Sequence, residues 1–307
     1  MSFTSEVKEE LSRVEATCTH CDKATLASLV RMEGTLFLSG PEQYRVEIAT
    51  DSGPVGRVII KLLHGIYDLQ TDLVVRRSVL HKSPNYLIQI PSQPNLYESL
   101  MDMGVISKNG GLELGINPDL VKKQCCEAAY LRGAFLGSGF ISNPKSDFHF
   151  EIKSAGERLA TDLMEIMRGR GINAKILQRR NTFVVYLKSG DAILEFLALT
   201  EAHKSALELE KERVIKSVRG DVNRMINAEM ANEQKATKAA LEQLFTIKKV
   251  LKKHKFETLP KGLQQFIRLR IENPEASLKE LGECANPPLS KSAINHRLRR
   301  LESMLDS

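Results

Sequence analysis

Leu26-Ala27-Ser28-Leu29-Val30-Arg31-Met32-Glu33-Gly34 decides how this chain folds, because it is answered 105 positions later by Leu131-Arg132-Gly133-Ala134-Phe135-Leu136-Gly137-Ser138-Gly139. Both runs keep small residues on one side (Ala27 and Ser28; Gly133, Ala134 and Gly137) and both close on glycine. Small residues let two helix backbones approach closely, as at the seam between two halves of a domain. A closing glycine suits the left-handed turn that ends a helix and releases the chain into a strand. Two unrelated buried helices would account for nine residues equally well. The patterns downstream of each run separate the readings.

After Gly34 come strand-like runs at Thr35–Ser39 and Gln43–Thr50; in the second, Tyr44, Val46 and Ile48 alternate with Arg45 and Glu47. That period of two marks a half-buried strand. Next in order are a helix over Gly53–His64, strands over Thr71–Ser78 and Asn85–Ile90, and a helix over Pro94–Met103. After Gly139 the order recurs: a strand near Phe140, another at Asp147–Lys153, a helix at Gly156–Arg168, strands at Ile172–Gln178 and Thr182–Lys188, and a helix from Asp191. An αββαββα unit given twice predicts an α+β, pseudo-two-fold domain.

No proline occurs between Pro144 and Pro260, and from Ser205 the pattern is helical. Gly220 and Asp221 mark an expected break. Beyond it the stretch with Asn223, Arg224, Asn227, Asn232 and Lys235 is polar: a solvated connector face, or a set of contacts to a nucleic-acid backbone. Helices are expected over Ala236–Leu251 and Lys261–Ile271. Ser277-Leu278-Lys279-Glu280 is a capping box opening a short helix to Cys284. Asn286-Pro287-Pro288 then forces a turn, and Ser290 caps a last helix, Lys291–Leu305. Helix, tight turn and basic amphipathic helix make a helix-turn-helix. At about 100° per residue, Ile294, Leu298, Leu301 and Leu305 share one stripe. Ser292, His296 and Arg299 lie opposite, flanked by Asn295 and Arg300. Arg forks onto guanine and Asn onto adenine, whereas Lys291, Arg297 and Arg300 are better placed for phosphates.

Charge supports this division. Of the net +6, the stretch from Ala231 onward holds 15 Lys+Arg against 9 Asp+Glu, so the preceding 230 residues are neutral. A basic module on a neutral body is the electrostatic footprint of nucleic-acid binding. No apolar run reaches the roughly 18 residues of a membrane span, and the N-terminus reads as an acidic amphipathic helix rather than a signal peptide. Five cysteines without an export signal imply reduced thiols and a cytoplasmic protein, and the basic DNA-binding module makes it an expected nucleoid-associated one.

Helix–Gly leading into ββαββ, twice, resembles the LAGLIDADG homing-endonuclease fold, with "LASLVRMEG" close to the naming motif and "LRGAFLGSG" a worn copy. Together with "SLKELGE" and "LSKSAINHRLRRLE", the chain is similar over nearly its whole length to the WhiA family of bacterial sporulation and cell-division regulators. The resemblance implies a degenerate homing-endonuclease domain joined to a helix-turn-helix. The corresponding divisions are residues 1–110 and 111–204 for the two halves, 205–230 for a helical connector and 231–307 for the DNA-binding domain.

In an active homing endonuclease an acidic residue precedes the glycine of each motif, and the two carboxylates hold divalent metal against the scissile phosphates. Here the positions are Glu33 and Ser138, and no Asp or Glu lies between Glu127 and Asp147 to substitute. Nuclease activity is therefore not expected, and Glu33 is expected to accept a hydrogen bond, with Ser138 as a partner. Arg76 and Arg77 (with His81 and Lys82) and Arg179 and Arg180 fall at equivalent strand connections. They read as phosphate clamps or as solvated hairpin tips, and the domain's neutrality favours the second. Cys21 and Cys126 each lie five residues before a motif leucine. If the motif helices run side by side, Cys18, Cys21, Cys125 and Cys126 gather at one end, and four thiolates, or three with His20, suit zinc. The adjacency of Cys125 and Cys126 is unlike ordinary zinc knuckles and favours ordinary buried thiols. No cofactor is expected.

The sequence thus points to a non-catalytic regulator of transcription that binds double-stranded DNA through its last helix, with the repeat domain adding affinity or a protein-partner surface and no membrane contact. The family resemblance implies roles in sporulation, cell division, the cell cycle and chromosome segregation. The competing readings are a residual metal-dependent site-specific endonuclease and a scaffold that uses DNA as a platform.

Overall fold

The computed structural model describes residues 2–40, 43–77, 84–107 and 109–305. α1 (Phe3–Leu11) is capped by the Ser2 side chain, which accepts from the Ser5 amide, and it buries Phe3, Val7 and Leu11 at helical spacing. α2 (Thr19–Glu33) carries the first motif and runs directly into β1 (Gly34–Gly40), which pairs antiparallel with β2 (Gln43–Thr50). α3 (Gly53–Tyr67), β3 (Asp72–Arg77), β4 (Pro84–Ile90) and α4 (Leu96–Asp102) complete the first copy. The second comprises α5 (Gln124–Ser138), β5 (Gly139–Ile141), β6 (Phe150–Ser154), α6 (Glu157–Gly169), β7 (Lys175–Arg179), β8 (Thr182–Leu187) and α7 (Gly190–Leu199). Strand order is β1-β2-β4-β3 in one sheet and β5-β6-β8-β7 in the other. The same element order and the same strand order, twice, make the pseudo-two-fold LAGLIDADG-like body.

α2 and α5 form the seam. Cys21 faces Cys126 near their first turns and Met32 faces Gly137 at their last, so the helices run in the same direction. A Cβ at Gly133 would lie 2.4 Å from the Thr25 carbonyl oxygen, and one at Gly137 would lie 2.9 Å from Met32 Cβ. The small residues are thus required by backbone approach, as their clustering implies. The closing glycines act differently from expectation. Gly34 (φ −78°, ψ 135°) and Gly139 (φ −72°, ψ 144°) are extended, not left-handed. Each is tight because the chain leaves the helix straight into a strand: a Cβ would sit 2.3 Å from the Val30 carbonyl oxygen at Gly34 and 2.5 Å from that of Phe135 at Gly139. Leu26, Leu29, Leu131 and Phe135 are fully buried along the seam. Each contributes roughly 1.5–3 kcal/mol of burial.

The chain divides into two units, Met1–Ile215 and Lys216–Ser307, and the division falls within α8 (His203–Lys253). α8 passes through Gly220 and Asp221 without the expected break. An internal glycine costs only about 1 kcal/mol, which a long helix absorbs, and Asp221 pairs with Arg224 one turn on. The second unit continues with α9 (Lys261–Glu272), α10 (Leu278–Glu283) and α11 (Lys291–Ser303). Its core joins Val250 of α8, Leu263, Phe266 and Ile267 of α9, Leu281 of α10, and Ile294 and Leu301 of α11. Among the described residues no helix is long and apolar enough to cross a membrane.

Candidate nucleic-acid interface

α10, the turn after it and α11 form the helix-turn-helix. The capping box is complete: Ser277 Oγ accepts from the Glu280 amide at 3.3 Å, and the Glu280 carboxylate accepts from the Ser277 amide at 2.7 Å. The turn is drawn onto α10 by the Leu289 amide, which donates to the Gly282 carbonyl at 2.8 Å. A side chain at Gly282 would meet the Leu289 carbonyl oxygen at 2.2 Å, so only glycine admits the turn. The Asn286–Pro287 peptide within it is cis. Ser290 caps α11, its Oγ accepting from the Ala293 amide at 3.2 Å, so this hydroxyl serves the helix. Ile294, Leu298 and Leu301 are buried, while Lys291, Ser292, His296, Arg299 and Arg300 are exposed and Asn295 is half-buried. Among the described residues no hydrogen bond or ion pair engages the side chains of Ser292, His296 or Arg299. Arg297 is different: its Nη1 donates to Gln265 Oε1 at 2.8 Å, tying α11 to α9.

At the C-terminal foot of the seam lies a groove lined by Lys8, Glu33, Asp51, Gly137, Ser138 and Lys153. Ser138 Oγ donates to the Lys153 carbonyl at 2.6 Å, so it is spoken for by the sheet and is not the partner of Glu33 that the sequence suggests. Lys8, only 9% exposed, reaches in from α1 and donates from Nζ to the Gly137 carbonyl at 2.8 Å. Burial lowers the Lys8 ammonium below its ordinary range, against the attraction of Asp51 and Glu33. Burial likewise raises the Glu33 carboxyl, opposed by Lys8 and reinforced by Asp51. A divalent cation of the homing-endonuclease kind needs carboxylate oxygens from both motif helices. Here one helix supplies a committed hydroxyl, and an ammonium already compensates the two acids. The residues present do not fit that metal.

At the opposite end of the seam the thiols of Cys18, Cys21, Cys125 and Cys126 all lie within 4.8 Å of one another. The Cys18–Cys21 Sγ separation is 3.3 Å, and Cys126 stands 3.9 Å from each of those two. The hydrogen bond with the Cys21 thiol draws Cys18 down to about 7, whereas burial pushes Cys126 up to about 11 and Cys21 higher still. His20 lines a neighbouring groove with Lys23 and Lys122.

Three family models match in succession: the WhiA N-terminal LAGLIDADG-like domain over residues 19–106, the WhiA LAGLIDADG-like domain over 127–219, and the WhiA C-terminal HTH domain over 222–305. The probable cell division protein WhiA of Heliobacterium modesticaldum is 41% identical over 308 residues, covering 100% of this chain and 97% of that protein. The chain belongs to the WhiA family. The WhiA relative of Alkaliphilus metalliredigens, also named a probable cell division protein, is 36% identical over 310 residues, covering 100% of this chain and 98% of that protein. Full-length WhiA from Thermatoga maritima superposes with a TM-score of 0.61 at 25% identity, covering 100% of this chain and 98% of that one. A WhiA N-terminal LAGLIDADG domain shares the fold at TM-score 0.52 and 22% identity, over 65% of this chain and 90% of that one.

Within this WhiA frame the remaining arginines take distinct places. Arg76 is exposed on β3 and the Arg77 backbone pairs with Pro84; His81 and Lys82 lie outside the described residues. Arg179 Nη1 donates to Glu151 Oε1 at 2.8 Å, an acid also approached by His149 at 2.7 Å, while Arg180 is exposed in the β7–β8 turn. Asn223 and Arg224 lie on the exposed middle of α8. Two groups escape the sequence reading. Lys8 sits on the flank of α1's apolar face, where periodicity gives no sign that it is buried. Arg270 is fully buried, its Nε and Nη2 donating to Gln243 Oε1 at 3.0 and 2.7 Å and its Nη1 to the Ala276 carbonyl at 2.5 Å. Among the described residues no carboxylate pairs with it, and burial lowers its pKa.

Proposed function

We propose that the protein is a non-catalytic DNA-binding regulator acting in cell division, in which α11 enters the major groove and reads base edges. The observation that carries this reading is the free, donor-rich face of Ser292, His296 and Arg299 on a capped helix whose opposite face is locked into the core. Asn295 and Arg299 supply groups that discriminate bases, Lys291 and Arg300 hold phosphates, and Arg297 and Ser290 keep α11 in position. Arg76, Arg77, Arg179, Arg180, Asn223 and Arg224 are a second set of candidate backbone contacts. The LAGLIDADG-like body adds DNA affinity or engages a protein partner. The family's setting extends the role to sporulation genes, transcription and chromosome segregation, in a nucleoid-associated cytoplasmic protein. Genome-wide occupancy in cells tests it: discrete peaks for the wild type that vanish for Arg299→Ala at equal protein level support the reading, and an unchanged peak set contradicts it.

A second reading, a residual metal-dependent endonuclease, draws on Glu33 and Asp51 at the foot of the seam. The buried Lys8 opposes it. Incubating supercoiled plasmid and the bound chromosomal fragments with magnesium or manganese separates the two: nicking by the wild type that Glu33→Gln abolishes would establish the enzyme.

A further inference from the structure

We propose that Cys18, Cys21, Cys125 and Cys126 bind one zinc ion in a tetrahedral four-thiolate site that clamps the N-terminal ends of α2 and α5. With a Zn–S bond of about 2.3 Å, the edges of such a tetrahedron are about 3.8 Å. The sulfur separations of 3.3, 3.9 and 3.9 Å, with every pair inside 4.8 Å, bracket that length. Of the five cysteines in the chain, these four converge from two sequence-distant segments, and the fifth, Cys284, is exposed in the other unit.

Adjacency along the chain is no obstacle once the ligands are seen across the seam. Cys125 and Cys126 both lie in the first turn of α5, and their sulfurs still come within 4.8 Å of each other and of those of Cys18 and Cys21. Cys18 is the N-cap residue of α2 and Cys21 lies in its first turn. The charge is compensated as well. A four-thiolate zinc centre carries two negative charges, and two helix N-termini, side by side, turn their positive ends toward it. Lys122 and Lys123 immediately precede α5. Binding replaces four S–H bonds by four Zn–S bonds and releases the four thiol protons to solvent. A lysine then holds the foot of the seam and a metal holds its head.

The full-length protein, purified without chelator or metal-affinity resin, is analysed for metals and its native thiols are titrated with DTNB. About one zinc per chain is expected, with Cys284 the fast-reacting thiol and the other four released only as zinc is released by an organomercurial. Cys18→Ser and Cys125→Ser lose the zinc while Cys284→Ser keeps it. Cobalt(II) exchanged into the wild type gives the strong visible d–d and thiolate charge-transfer bands of a tetrahedral sulfur site. That spectrum and the wild-type metal content decide the matter even where a serine variant does not fold. Less than about a tenth of a zinc per chain with five freely titrating thiols, stoichiometric iron in place of zinc, or a Cys18–Cys21 disulfide in the native protein would each overturn the assignment.

Discussion

Replacing Gly282 by alanine should damage the second unit, although alanine is the better helix former. Gly282 lies inside α10, where a helix gains about 1 kcal/mol from Gly→Ala. The new Cβ would stand 2.2 Å from the Leu289 carbonyl oxygen, whereas 3.4–4 Å is ordinary contact, so the turn must retreat by more than 1 Å. Overpacking of that kind costs about 1–3 kcal/mol. The retreat also breaks the 2.8 Å bond from the Leu289 amide to the Gly282 carbonyl, leaving both groups short of a partner at about 1–3 kcal/mol more. The net loss is therefore about 3 kcal/mol. Because Leu289 immediately precedes the Ser290 cap, α11 tilts and DNA affinity falls with stability. Denaturant unfolding, with DNA binding measured on the folded fraction, is the assay. Gly65→Ala is the control, since nothing lies within 4 Å of a Cβ at this exposed position of α3; it should stabilise by up to about 1 kcal/mol. A Gly282→Ala protein as stable as the wild type would refute the reasoning about the turn.

Other substitutions probe the remaining contacts. Lys8→Ala leaves the Gly137 carbonyl without its donor and Glu33 and Asp51 without their cation, so thermal or denaturant unfolding should show a loss of about 2–4 kcal/mol; a loss below about 0.5 would remove Lys8 from the seam. Burial raises Glu33 above the ordinary carboxylate value of 4.5, so the folded state holds that proton more tightly than the unfolded chain. Its contribution is complete below that value and is lost as pH rises through the folded pKa. The stability of the wild type relative to Glu33→Gln should therefore fall with rising pH, and a difference that grows with pH would contradict the burial argument. Arg270→Ala strips Gln243 and the Ala276 carbonyl of their donor and should cost about 3–5 kcal/mol in denaturant unfolding of the second unit; under about 1 kcal/mol would show that the network is ornamental. On DNA, Arg299→Ala should cost about 1–3 kcal/mol on specific sites only, while Lys291→Ala weakens specific and random DNA alike; titration by anisotropy compares them.

Much of this architecture is legible in the sequence because local chemistry and global fold agree. Tyr44, Val46 and Ile48 alternate because one face of β2 meets the core, and Ser277–Glu280 announces α10 by satisfying helix-end donors that would otherwise stay unpaired. The seam is readable from Gly133 and Gly137, since only small residues survive so close an approach. The features that escape depend on contacts across the chain. The closing glycines look like left-handed caps, and only the helix-to-strand exit shows that they are steric. Lys8 comes from an element outside the repeat, and Asp51 from the loop after β2, so neither belongs to the motif spacing that defines the foot. The gathering of Cys18, Cys21, Cys125 and Cys126, by contrast, follows from the repeat, which sets Cys21 opposite Cys126 once α2 and α5 run side by side.

The central claim is that sequence recognition resides on one face of α11. The direct measurement is the ratio of affinities for a chromosomally recovered site and for random DNA, compared between the wild type and the full-length Ser292→Ala, His296→Ala, Arg299→Ala triple variant. The account predicts a ratio that collapses toward one while the unfolding transition stays unchanged. A triple variant that keeps the wild-type ratio would contradict it and move recognition to the LAGLIDADG-like body.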